Sequence, residues 1–276
     1  MKDINGTEIF VINLDHMTAR LAFQQRQFKA LGLTFERIRA TKAEDAVLNN
    51  YSEAYWNDWE RPIRPAERAC FLSHRQLWQR IAQGSKPALI LEDDAVLSDM
   101  LPAFLRRLAV QDGIDHITLE TRNRRKLMAT TPVEGLPIQR LYLDRAGAAA
   151  YLLWPEGARK LLKRTEKRAY IADAAICAAH ELKSYQAVPA LAMQIDCCKT
   201  YGLPEPAEMH TTVSSTTVSF LPGPDPFRRP PRSFRLQRII AQIKMGLRQL
   251  SHLHNGKARI VGIESRNFAY LDKAPA

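Results

Sequence analysis

The amino-acid sequence predicts an α/β fold: a mainly parallel sheet flanked by helices, followed by a basic amphipathic C-terminal helix. Three observations carry this expectation. The chain opens as strand, helix, strand, an order that favours parallel pairing. A short apolar strand further on runs directly into three acids, at the end of a strand where open parallel sheets bind ligands. With 276 residues, 46% of them hydrophobic, the chain can bury a large core without a disulfide or metal scaffold.

The elements follow in order. Residues 8–15 hold Ile9, Phe10, Val11, Ile12 and Leu14 and read as a buried strand. A helix starts near Thr18, with Leu21, Phe28 and Leu31 along one side, and Gly32 stops it. Residues 35–40 are a second strand, and the aromatic, proline-containing stretch 50–65 is a loop or short helix. Pro65 suits the first turn of a long helix that ends at Gly84. Ala88 to Leu91 is a short central strand, and Glu92, Asp93 and Asp94 follow it. Further on come a helix over 99–110, a strand over 114–119, a hairpin and loop within 121–146, and a strand over 148–153. Helices over 155–167 and 171–183 and a strand over 185–193 complete the series. These divide the chain into a sheet domain at 1–203, a Pro-rich connector at 204–231 and a basic segment at 232–276.

The formal net charge is +11, which by itself suggests a nucleic-acid partner. Its distribution says otherwise. Nine cations and no acid lie between Arg228 and Arg259, whereas residues 1–225 carry 29 basic and 27 acidic side chains. Leu236, Ile239, Ile240, Ile243, Leu247 and Leu250 form an aliphatic stripe on the helix over 233–250, with Arg235, Arg238, Lys244 and Arg248 beside it. Such a helix suits an anionic membrane surface. The alternatives are packing on the domain and self-association into a homo-oligomer. No recognition motif accompanies the charge, so no nucleic acid is expected. No signal peptide or membrane span is apparent, and Cys70, Cys177, Cys197 and Cys198 form no CxxC pair. The expected setting is cytoplasmic, with this helix at a membrane surface.

Two clusters carry chemistry. The three carboxylates of Glu92, Asp93 and Asp94 repel one another, and a divalent cation, Mn²⁺ or Mg²⁺, would relieve that and bridge them to a diphosphate. The plain alternative is a solvated turn capping the next helix. A phosphatase of the Asp-x-Asp type is disfavoured, because Glu92 stands where its nucleophilic aspartate belongs. On the helix from Pro65, His74 lies in the middle of the apolar face and Ser73 at its edge, either as satisfied core groups or as contacts to a substrate or to the acidic turn.

These pieces resemble glycosyltransferase family 25, the bacterial lipooligosaccharide-biosynthesis group related to collagen galactosyltransferases. The resemblance rests on Val11 to Asp15 with Arg20; Phe35 to Ile38 with Ala40; Glu67 and the run Cys70 to His74 with Trp78; Ile90 to Asp94; Gly147 with Tyr151 to Leu153; Gly157, Ala158 and Lys160 to Leu162; and Asp173. Arg64-Pro65-Ala66 departs from it, since the family commonly has glycines there. The resemblance implies a GT-A fold, a Rossmann-like nucleotide-binding sheet. It also implies a UDP-sugar donor, UDP-galactose first among them, and inversion at the anomeric carbon. By that analogy Asp94 holds the cation with Glu92, while Glu92 or Asp93 touches ribose or metal. Asn13, Asp15, Arg20 and Ala40 line the nucleotide site, Ser73 and His74 sit near the donor, and Asp173 is the base. The expected acceptor is a lipid-linked saccharide. His210 and Gln194 are weaker site candidates, and the competing function class is a non-catalytic nucleotide- or nucleic-acid-binding protein with a basic tail.

Overall fold

The computed structural model describes residues 7–108, 113–145, 147–210 and 232–272. Its strands are β1 (Glu8–Asn13), β2 (Glu36–Arg39), β3 (Ala88–Glu92), β4 (Ala95–Leu97), β5 (His116–Thr118), β6 (Arg125–Pro132), β7 (Ile138–Leu143), β8 (Ala150–Leu153), β9 (Ser184–Ala187), β10 (Ala192–Gln194) and β11 (Gly256–Ile260). Its α-helices are α1 (Thr18–Leu31), α2 (Glu53–Asn57), α3 (Pro65–Gln83), α4 (Leu101–Leu108), α5 (Pro155–Arg164), α6 (Ala172–Cys177), α7 (Ala207–His210) and α8 (Arg232–Ser251).

Nine strands form one sheet in the order β11-β6-β7-β9-β5-β8-β3-β1-β2. The opening strand–helix–strand does pair in parallel, as β2, β1 and β3. Beyond that the sheet is mixed rather than mainly parallel. β8 inserts antiparallel to both β3 and β5, β6, β7 and β11 form an antiparallel group at the edge, and β7 joins β9 antiparallel. The reason is connection length: the five-residue link from β6 to β7 can close a hairpin but cannot make the crossover that parallel strands need.

Other differences from the sequence expectation are local. The expected helix over 171–183 ends at Cys177, where tight turns close through Ala179 N–H to Ile176 O and Leu182 N–H to Ala179 O. The expected strand over 185–193 divides into β9 and β10 around Pro189, which has no N–H for a ladder. β10 turns out of the large sheet to pair with β4, setting Gln194 opposite Ala95 beside the acidic turn. Of the expected connector, residues 211–231 lie outside the described residues. β11 from the C-terminal segment completes one edge of the sheet.

Apolar side chains fill both faces of the sheet. One layer joins Phe71, Trp78 and Ile81 of α3 to Leu161 of α5 and to Trp56. The other joins Phe28 of α1 and Leu105 of α4 to Leu89 and Leu91 of β3. α5 lies against the chain just before β5: Trp154 N–H donates to Asp115 O at 3.0 Å, and a Cβ on Gly157 would stand 2.3 Å from that same carbonyl oxygen. Glycine is required there by close approach.

Candidate functional site

The acidic turn lies where β3 leaves the sheet, and its carboxylates are held differently. Asp93 is buried and satisfied: Asn13 Nδ2 donates to it at 2.8 Å and Arg20 at 2.9 Å. Gln24 of α1 clamps the backbone of the turn by donating to Asp93 O and Ala95 O. Asp94 has Arg20 Nη1 at 3.7 Å, and its Oδ1 is buried with no hydrogen-bond partner among the described residues. Burial and the charge of Glu92 push Asp94 up to about 7. Burial, then the charges of Asp173 and Asp93, push Glu92 up to about 8. Burial disfavours the charge of Arg20, but Asp94 and Asp93 outweigh it and keep the guanidinium protonated.

A line of hydrogen bonds runs from the core to Glu92. Trp78 Nε1–H donates to Tyr151 Oη at 2.8 Å, Tyr151 Oη lies 2.9 Å from His74 Nδ1, and His74 Nε2 lies 3.1 Å from Glu92 Oε1. An indole can only donate, and a phenol has one proton. The consistent assignment has Tyr151 donating to Nδ1 and His74 donating from Nε2 to the carboxylate. His74 is fully buried, which lowers it to about 4 and leaves it neutral near pH 7. The Cys70 thiol also faces Glu92, at 3.9 Å, and burial pushes it well above the ordinary thiol range.

Cys70, His74 and Glu92 gather three ligand-type atoms within 4.8 Å of one another. A protonated thiol and an imidazole already engaged at both nitrogens make a poor metal set. The hard-oxygen pair of Asp94 and Glu92 fits a divalent cation better: both carboxyls sit above their ordinary pKa, and the buried Asp94 Oδ1 lacks a partner.

Asp173 stands at the start of α6, where Gly147 N–H donates to it. Burial raises it, and the charge of Arg122 counteracts this in part. It is close enough to Glu92 for each charge to be felt by the other. Behind Gly147 lies a second polar group: Lys126 Nζ bonds Asp144 and Gln186 at 2.7 and 2.6 Å. Buried Glu120 accepts Ala149 N–H at 2.9 Å, and burial pushes it up to about 8.

The structure brings most of the expected residues to this end of the sheet, in unequal roles. Asn13 is buried, receives Arg37 Nε at 2.9 Å, and acts through Asp93. Asp15 lies on the rim between Arg37, Arg39 and Lys42, and its hydrogen bond with Arg37 leads in holding it below the usual carboxylate range. Ala40 lines a cleft of about 390 Å³ with Arg39, Thr41, Tyr51 and Arg75. Ser73 is fully buried, accepting Thr41 N–H and donating to Ala69 O. Ser73 and His74 therefore reach the site through Thr41 and Glu92 rather than by their own exposed atoms. Gln194 Nε2 approaches Glu92 Oε2 at 3.4 Å. His210 ends α7, whose Glu208 is bound to Arg26 of α1.

Sequence reasoning missed Tyr151 and Trp78 as site residues and Arg122 as a site cation. Arg122 is bonded to Asp196 at 2.6 Å and lowers both Glu92 and Asp173. The signal for Tyr151 was its polar hydroxyl in an otherwise apolar strand.

The model of glycosyltransferase family 25 (LPS biosynthesis protein) matches residues 6–176. The lipooligosaccharide biosynthesis protein lic2B of Haemophilus influenzae is 25% identical over 165 residues, covering 55% of this chain and 61% of that protein. A glycosyltransferase 25 family member of Anopheles gambiae is 28% identical over 179 residues, covering 57% and 28%. Procollagen galactosyltransferase 1-B of Xenopus laevis is 26% identical over 172 residues, covering 56% and 28%. The chain thus spans less than two thirds of these relatives. With the family match covering β1 through most of α6, the chain belongs to glycosyltransferase family 25.

Proposed function

We propose that the chain is an inverting glycosyltransferase of GT-A architecture. It moves a hexose, galactose first, from a UDP-sugar to a hydroxyl of a lipid-linked saccharide in lipooligosaccharide or lipopolysaccharide biosynthesis. The observation that carries this is the acidic turn held by Asn13 and Arg20 within charge range of Asp173, inside the segment matched by the family. Residues 1–203 form the catalytic unit in this reading, 204–231 a connector and 232–276 a surface-binding segment that also lends β11 to the sheet.

The donor's nucleoside takes the cleft lined by Ala40, Tyr51 and Arg75, with Asp15 at its rim and its diphosphate toward Arg20 and the acidic turn. Asp94 and Glu92 would hold a divalent cation, Mn²⁺ or Mg²⁺, which would supply positive charge to the diphosphate. Arg20 and Arg122 add fixed positive charge for the leaving group. His74, kept neutral by burial and oriented by Tyr151, holds Glu92 in one position through Nε2–H. Asp173 takes the proton of the acceptor hydroxyl as its oxygen bonds the anomeric carbon and the bond to the diphosphate breaks. Burial raises its pKa, which makes its carboxylate a stronger base than an ordinary aspartate. UDP release from a UDP-sugar panel with Mn²⁺ and extracted lipooligosaccharide, with a hexose mass added to the acceptor, tests the reading. No release with any donor overturns it.

α8 supports a membrane-surface site of action. It rests on the domain through Phe234, Gln237 and Arg248. Leu236, Ile239, Ile243, Leu247 and Leu250 lie on the opposite side, each more than half exposed. Among the described residues no helix is long and apolar enough to cross a membrane. The exposed stripe is what supports peripheral attachment, in this reading at the cytoplasmic face of the inner membrane.

A further inference from the structure

A second cleft, of about 570 Å³, opens between the body of the domain and α8, and Asp173 lies in its lining. Its size falls within the range of about 300–1,000 Å³ usual for ligand sites. Its charge is mainly positive. Arg124, Arg145 and Lys244 line it, are exposed, and have no ion-pair partner among the described residues. Two further arginines at the cleft are committed: Arg164 to Glu181 at 3.0 Å, and Arg168 near Asp58 at 3.9 Å. Against this stand Asp173, Glu60 and Asp144, and Asp144 is neutralised by Lys126.

An independent observation points to a ligand. Tyr170 is 4% exposed and lines the cleft, and its hydroxyl is buried without a hydrogen-bond partner among the described residues. Arg164 and Arg168 lie 5.4 and 5.3 Å from its ring centroid, so the hydroxyl is the group left to act. A buried hydroxyl left unmade costs on the order of 1–3 kcal/mol, and a sugar hydroxyl would satisfy it. Trp59, half-buried at the same cleft, offers an aromatic surface of the kind sugar rings stack on.

We propose that this cleft is the acceptor site and that it selects an anionic saccharide, a sugar carrying a phosphate or a carboxylate. Its charged group meets Arg124, Arg145 and Lys244, Tyr170 bonds a ring hydroxyl, and the reacting hydroxyl faces Asp173. This rests on the glycosyl-transfer reading for the role of Asp173. Geometry adds a second point: α8 walls the cleft with Ala241 and Met245 while its aliphatic stripe faces outward. A saccharide whose lipid lies in the adjoining surface enters beside the base.

The test uses the full chain saturated with UDP, titrated with mannose 6-phosphate, glucuronic acid, methyl mannoside and inorganic phosphate and read by calorimetry. Mannose 6-phosphate or glucuronic acid is expected to bind at least ~10-fold tighter than methyl mannoside, and their ratio tells phosphate from carboxylate. Arg124→Glu with Lys244→Glu should weaken the anionic sugar ~10-fold or more, and Tyr170→Phe several-fold, with UDP affinity unchanged as the check on folding. Equal binding of methyl mannoside, equal binding of inorganic phosphate and mannose 6-phosphate, or no effect of the charge reversals would overturn the proposal. Loss of UDP binding with anionic-sugar binding intact would instead overturn the donor-site reading.

Discussion

The outward stripe of α8 gives a prediction whose size follows from the structure. Leu236, Ile239, Ile243, Leu247 and Leu250 are 58, 52, 57, 62 and 63% exposed. Fully burying such a side chain is worth about 2 kcal/mol, so the surface still in water is worth about 1 kcal/mol each on entering a bilayer interface. The exposed Arg235, Arg238 and Lys244 add at most about 1 kcal/mol each near anionic lipid. Ile243→Asp with Leu247→Asp removes about 2 kcal/mol of apolar transfer and sets two anions against the lipid, for a total loss of about 4 kcal/mol, or roughly 10³-fold in partitioning. Both side chains point away from the domain, so Tm should hold. Co-sedimentation with phosphatidylglycerol-containing vesicles should show wild type bound and the variant free, and wild-type binding should weaken as salt rises. Equal sedimentation of variant and wild type would sink the membrane reading. A wild-type dimer that ignores vesicles and is dissociated by the substitutions would identify the stripe as a self-interface.

Three other outcomes are expected. Gly157→Ala drives a Cβ to within 2.3 Å of Asp115 O and should cost about 3 kcal/mol, a fall of roughly 6–12 °C in a thermal melt; an unchanged melt would show that α5 can slide on the sheet. Asp173→Asn should lower turnover by about 10²-fold or more while UDP affinity stays within about twofold, and near-wild-type transfer at saturating donor would remove Asp173 as the base. Glu120 is held at about 8 by burial, above its ordinary 4.5, so the folded state binds more protons than the unfolded state between those values. Its stabilising contribution is present below the lower value and is lost as pH rises through the upper. Glu120→Gln keeps the acceptor for Ala149 N–H and should flatten the decline in Tm between pH 5 and 9; a parallel decline in both proteins would refute the assignment.

The sequence made the site's address legible and left its wiring hidden. The apolar run before Glu92 and the Pro65 to Gly84 helix are local signals, and both appear at the expected positions. The sheet's mixed pairing was not legible, because the insertion of β8 between β3 and β5 depends on contacts across 62 residues of chain, such as Leu89 with Leu152, and not on the alternation within β8. The same holds for the line from Trp78 to Glu92: His74 in an apolar helix face announced a buried partner, but Tyr151 is supplied by a distant strand. Asp173 was nominated through resemblance, and its short helix misled by apolar content alone, since hydrophobicity does not distinguish a six-residue helix followed by turns from a longer one.

β11 alters how the tail can be removed. It pairs with β6 along five residues, from Gly256 opposite Ala129 to Ile260 opposite Arg125, and further along Phe268 and Leu271 pack with Phe23 and Met193. Cutting the chain before α8 would therefore strip a ladder and uncover the rim of β6, whose free N–H and C=O groups then invite pairing between molecules. A truncated protein would lose solubility for architectural reasons whatever surface α8 touches. The aliphatic residues of α8 and this rim are separable, and substitutions on the outer face change the first while leaving the second closed.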